Sequence, residues 1–175
     1  MEQFDLEHAI EILSRTPVIL KHWLGNLPEE WLLYKAEEES WSAFDIVGHF
    51  IHGEKTDWIP RAQIILQREG IREFEPFDRY AQYNESKNKT IENLLDEFSQ
   101  LREKNLDILR GFDLQPEDYE LKGKHPELGI VNLRQLISTW VVHDLDHLSQ
   151  IAQEMAKRYK EEVGPWREYL GVLKR

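Results

Sequence analysis

The stretch TWVVHDLDHLSQI, residues 139–151, carries two histidines four positions apart with an aspartate beside each. On an ideal helix that spacing separates the two side chains by about 40° around the axis, so His143 and His147 project from adjacent turns of one face and can share an ion. Catalytic divalent metals commonly take three protein ligands and keep a position open for water or substrate. The chain has no cysteine, so a third ligand must be histidine, aspartate or glutamate. His49 and His52 are the candidates on a preceding amphipathic segment, and spacing does not choose between them. By itself the pair leaves open both metal ligation and two hydrogen-bonded structural histidines.

Asp144 raises a related question. A helical wheel of this segment puts Leu133, Ile137, Val141, Leu148 and Ile151 on one apolar arc, with Leu136, Trp140 and both histidines along its edge and Asp144 near its middle. An ionised carboxylate there costs several kcal/mol unless a donor compensates it. It either orients a metal-ligating histidine on a neighbouring helix or binds a tryptophan, an arginine or a backbone amide.

Four helices are expected to position these groups. Leu6, Ile10, Leu13, Pro17, Leu20 and Leu24 alternate by four and three, the seam of a packed helix, with a kink expected at Pro17. Ser42, with Asp45 three residues on, caps a second helix running to about Glu69. A third, from about Thr90 to Arg110, buries Ile91, Leu94, Leu95, Phe98, Leu101 and Ile108. A turn at 125–132 leads into the fourth, capped by Asn132 with Gln135 in the reciprocal position and reaching about Glu162. Residues 25–40 form a connection with a short helical turn, and 73–89 a long aromatic-rich crossover covering one end of the bundle. A last short helix docks Trp166, Tyr169 and Leu170 on the bundle. The prediction is an all-α four-helix bundle forming a single domain over 1–175.

Composition narrows the partners. With 22 basic and 33 acidic residues the formal charge is −11, which repels phosphate backbones and anionic membranes and excludes nucleic acid and membrane surfaces as expected partners. The acidic N-terminal stretch does not read as a signal peptide, and no apolar run approaches a membrane span. A cytoplasmic, soluble protein is expected. The six tryptophans, among them Trp31, Trp41, Trp58 and Trp140, read as core and interface packing. His8, His22 and His125 read as solvated or locally bonded.

WSAFDIVGHFIHGEKTDWIPR, 41–61, resembles the second-helix signature of the DinB family, and HDLDHLSQI, 143–151, its His-Asp-x-x-His signature with a glutamine three residues after the second histidine. GPWREYL resembles an ending found in one subgroup. The sequence departs from the pattern at Asp146, where many relatives carry histidine. The resemblance implies an up-down-down-up bundle, often a homodimer, with His49, His143 and His147 as a three-histidine metal site and with Glu54 and Trp58 close by. It implies zinc, nickel, iron or manganese as cofactor. It also implies a small-molecule enzyme, either an S-transferase using a low-molecular-weight thiol on an electrophile or a metal-dependent hydrolase using water activated at the ion. Glu54 and Asp144 are the candidate catalytic carboxylates. A non-catalytic metal-binding dimeric module is the third expectation.

Overall fold

A computed structural model describes residues 4–68 and 70–174. Four long helical segments make the bundle: α1 (Leu6–Leu24), the pair α3 (Ala43–Thr56) and α4 (Trp58–Leu66), α6 (Ile91–Gly111) and α7 (Leu133–Lys157). Single helical turns, α2 (Glu29–Leu32) and α5 (Gln82–Glu85), interrupt the two connections flanking α3 and α4. α6 packs against α1 and α3, and α7 packs against α1, α3 and α4. This sets α1 diagonally opposite α3, and α6 opposite α7, across the core.

Local sequence explains where the helices start. Ser42 Oγ accepts from the Asp45 amide at 3.2 Å while Asp45 Oδ2 accepts from the Ser42 amide at 3.0 Å. Asn132 and Gln135 form the same reciprocal box on α7, as do Thr90 and Asn93 on α6. Each satisfies amides that a helix start leaves without partners. The second helix breaks at Asp57, which joins α3 to α4 with φ −108° and ψ −73°. Its expected end, Glu69, lies outside the described residues.

The core falls into two apolar clusters along the bundle. One gathers Ile10, Leu13, Trp58, Ile59, Leu106, Leu133, Ile137 and Trp140, the other Leu20, Leu24, Ile46, Phe50, Leu94, Phe98 and Ile151. Between them on each helix stands a polar residue or a proline: Pro17 on α1, Glu54 on α3, Arg102 on α6 and Asp144 on α7.

Pro17 explains part of this layer. α1 runs on through it, but a proline has no amide to give the carbonyl one turn back, which here belongs to Leu13. That carbonyl accepts instead from Arg102 Nη1 at 2.7 Å. Three further hydrogen bonds of the guanidinium go to Asp144 (Nη1 to Oδ2 at 2.5 Å, Nη2 to Oδ1 at 3.0 Å) and to Glu54 Oε1 (Nε at 2.9 Å), and Nη2 also stands 2.8 Å from Glu54 Oε1 as an ion pair. One side chain thus ties four helices.

Three expectations are corrected. The turn at 125–132 belongs to a two-stranded antiparallel hairpin, β1 (Lys122–His125) and β2 (Gly129–Asn132), in register Gly123 to Val131. The strands are too short for period-2 alternation to stand out in the sequence. α7 ends at Lys157, short of Glu162, and the final helix is a pair of 3-10 segments, Gly164–Tyr169 and Gly171–Leu173. Trp166 and Tyr169 do not dock: they are 71% and 88% exposed. Among the described residues no helix is long and apolar enough to cross a membrane.

Candidate metal centre

α3 and α7 bring His49, His143 and His147 together, with one ligand nitrogen from each ring inside 4.8 Å of the others. The ring centroids lie 4.4 Å (143 to 147), 4.7 Å (49 to 147) and 5.2 Å (49 to 143) apart. Nε2 of His49 and Nε2 of His143 face each other at 3.1 Å. Nitrogens bound about 2.1 Å from one ion at octahedral to tetrahedral angles stand about 3.0–3.4 Å apart, so this pair already has the spacing of a shared ligand set. His52, the other candidate for the third ligand, turns away: its Nδ1 meets Glu85 Oε1 at 2.9 Å and its ring packs on Phe77. It fastens the crossover to α3.

The three rings are suited to donate lone pairs. Burial, and then the charges His147 and His143 would carry, lower the His49 pKa to about 2. Burial, followed by His143, lowers that of His147 to about 4. Both rings are therefore neutral at physiological pH. Gln150 Oε1 lies 2.8 Å from His147 Nδ1. An amide oxygen only accepts, so Nδ1 carries the proton and Nε2 of the neutral ring keeps its lone pair. The Nδ1 atoms of His49 and His143 are buried without a hydrogen-bond partner.

Aromatic rings wall the cluster. Trp41 tilts onto His49 at 4.7 Å and stacks with His147 at 6.0 Å, Phe50 meets His143 and His147 edge-on, and Trp58 meets His143 at 5.1 Å while stacking on Trp140. Trp41, Trp58 and Trp140 are buried, as packing residues should be, yet Trp41 and Trp58 also line the cavity outside the histidines. That cavity of about 940 Å³ is shared with Phe74, Phe77 and Tyr80 from the crossover and with His125 from the hairpin. His125 was expected to be only locally bonded, and its Nδ1 does accept from the amides of Glu127 and Leu128.

The two carboxylates singled out in the sequence face elsewhere. Glu54 and Asp144 are buried behind the histidines, bound to Arg102, and neither lines the cavity. Asp144 thus resolves to the arginine-bound alternative. It also interacts with the adjoining His143, which helps to lower its pKa, but Nδ1 of that ring has no partner in full hydrogen-bond geometry. Against burial, which would raise it, the Arg102 charge holds the Asp144 carboxyl below its ordinary value. Glu54 moves the other way: burial pushes it up, although Arg102 and Asn105 counter this.

Sequence reasoning missed Arg102, Asn105 and Asp57. The first two interrupt the apolar face of α6, Arg102 one turn after Phe98 and Asn105 one turn before Leu109, and that interruption is the readable signal. Asp57 lines the cavity, is 8% exposed and pairs with Arg61 at 2.5 Å. Burial raises its pKa despite Arg61. No sequence pattern marked it, because its position follows from the break between α3 and α4.

A model of the DinB superfamily matches residues 12–151. Among solved structures the chain resembles YfiT from Bacillus subtilis, described as a probable metal-dependent hydrolase with an unusual four-helix bundle topology. The two share 22% identity at a TM-score of 0.73, covering 90% of this chain and 91% of the other. No functionally curated protein matches the chain.

Proposed function

The chain belongs to the DinB superfamily, and from that premise we propose that it is a metal-dependent enzyme joining a small thiol to an electrophilic small molecule. One observation carries the reading: three imidazole nitrogens inside 4.8 Å, with the His49 and His147 rings held neutral by burial, beside a cavity of about 940 Å³. A divalent cation held by His49, His143 and His147 would supply a Lewis acid that lowers the pKa of a bound thiol or water. Zinc, nickel, iron and manganese all suit an imidazole donor set.

The chain's own residues do the rest. Gln150 fixes the His147 tautomer, and Trp41, Phe50 and Trp58 keep water from the ring edges, which strengthens every charge interaction there. In the transfer, the sulfur forms a bond to an electrophilic carbon, and the leaving group departs with the electron pair of the bond it breaks. The thiol proton passes to Asp57 or to solvent. Asp57 suits that role because it faces the cavity with a pKa raised by burial.

The same carboxyl favours a second reading, hydrolysis, in which Asp57 takes a proton from attacking water. The description of YfiT as a probable metal-dependent hydrolase agrees with that reading.

Protein loaded with zinc, nickel, iron or manganese and given small thiols with 1-chloro-2,4-dinitrobenzene or monobromobimane tests the proposal. Thiol consumption above that of His143→Ala is expected. No consumption above that background discards the transferase, and thiol-free turnover of esters, amides or lactones establishes the hydrolase. Metal removal that changes melting temperature alone, with neither activity present, leaves the metal-binding module.

A further inference from the structure

The cavity holds two guanidinium groups in different situations. Arg61 is buried and already committed: its Nε pairs with Asp57, its Nη2 reaches the Glu75 carbonyl at 3.4 Å, and its plane lies over Phe74. Arg79 is exposed on the crossover and lies over two aromatic faces, Trp41 at 6.0 Å and Tyr80 at 5.8 Å. Among the described residues no carboxylate pairs with it. In a chain with 33 acidic residues, a lone guanidinium beside the histidine cluster calls for a reason.

Its placement supplies one. The centroid of Trp41 lies 6.0 Å from the His147 ring and 6.0 Å from the Arg79 guanidinium. The cation is therefore at most twice that distance from His147, across one indole. An aromatic backing restrains a planar fork without using its N–H donors, and Arg79 lines the cavity. The N–H edge of such a fork matches a carboxylate through two parallel hydrogen bonds. The rest of the cavity does not attract negative charge generally, since Glu39, Asp57, Glu127 and Asp146 also line it. With Arg61 already paired to Asp57, attraction away from the histidine cluster is confined to Arg79, which suits one anionic group beside the sulfur and penalises a second.

We infer that Arg79 anchors a carboxylate on the thiol, so that the site selects small monocarboxylate thiols over neutral ones. This rests on the thiol-transfer reading. The thiol lies along Trp41 with its carboxylate at the crossover and its sulfur toward His49, His143 and His147. Because Arg79 sits on the segment that His52 fastens through Glu85, the anchor is held in register with α3.

Cobalt-loaded protein titrated with 3-mercaptopropionate and with its neutral isostere 3-mercaptopropionamide tests the inference. Binding is followed by the thiolate-to-cobalt charge-transfer band in the near ultraviolet. The carboxylate is expected to bind about tenfold tighter, the size of one charge-assisted contact at a partly exposed site. Arg79→Ala should abolish the difference and Arg79→Lys should retain part of it, both with the parent melting temperature because the side chain is exposed. Mercaptosuccinate, with a second carboxylate, should bind no tighter than 3-mercaptopropionate. Equal affinity for the first two thiols, or a preference that survives in Arg79→Ala, overturns the inference while leaving thiol transfer standing. If no thiol produces the band, thiol transfer itself fails and the anchor falls with it.

Discussion

Replacing Arg102 with methionine keeps most of the stem's volume and removes the cation that pairs with two buried carboxylates. Glu54 and Asp144 are 2% and 0% exposed, and the guanidinium supplies two hydrogen bonds to Asp144, contacts to Glu54 at 2.8 and 2.9 Å, and one bond to the Leu13 carbonyl. Removing one partner of a buried ion pair typically costs about 3–5 kcal/mol, because the charge left behind is uncompensated. For a chain of this length each kcal/mol moves Tm by about 2–4 °C, so Arg102→Met should lower it by about 6–20 °C. The pH dependence carries a second signature. In the parent, the depressed Asp144 pKa gives stability that is complete above the unfolded value near 3.8 and lost as pH falls through the folded one. Without Arg102, burial raises the Asp144 pKa instead and raises the already elevated Glu54 pKa further, and stability then falls as pH climbs above their unfolded values. The gap between parent and variant should therefore widen from pH 4 to 7. Adding Glu54→Gln and Asp144→Asn to Arg102→Met should recover most of the loss, since no charge remains in this layer. Urea and thermal melts across pH measure all three proteins. A gap under about 1 kcal/mol at pH 7, a gap that ignores pH, or a neutral triple variant no better than Arg102→Met would refute the account of this layer.

Other outcomes follow from the same geometry. The metal-free protein should lose stability below pH 6.5, because the unfolded chain takes up protons on His49 and His147 that the folded chain refuses until about pH 2 and about pH 4. The two rings together give a slope of about 2.7 kcal/mol per pH unit between about pH 6 and 4, and His49→Gln with His147→Gln should flatten it in urea melts. Gln150→Leu releases the His147 tautomer and should weaken zinc binding about 10–100-fold in a competitive chelator titration, as loss of a ligand's orienting partner usually does; unchanged affinity would show that Gln150 does not orient the ring. Gly48→Ala would drive a methyl into Ser86 Oγ and to 3.1 Å from Gln82 Cβ, so it should destabilise by about 1–3 kcal/mol and loosen the crossover, seen as faster amide exchange over 82–86.

The sequence by itself determined the four long helices and two of the three clustered histidines. Capping and periodicity are local properties: Ser42 with Asp45 and Asn132 with Gln135 satisfy amides within three residues, and those helix starts stand where the pattern put them. The facing of His143 and His147 follows from helical geometry alone, and the resemblance selected His49 where spacing could not. The hairpin at 122–132 was too short to read, and the C-terminal aromatics, apolar enough to suggest docking, stay exposed. What Asp144 binds was open in the sequence because Arg102 lies 42 residues away, and such pairing depends on which helices become neighbours. Pro17 reads in the sequence as a helix defect, and only with α6 packed beside it does the carbonyl it frees become an acceptor for Arg102. Asp57 and Arg79 likewise gain their places in the cavity from a helix break and a long crossover. Local hydrogen bonding settles a cap within one turn of chain, whereas the partner of a buried charge is fixed by long-range packing that no single segment encodes.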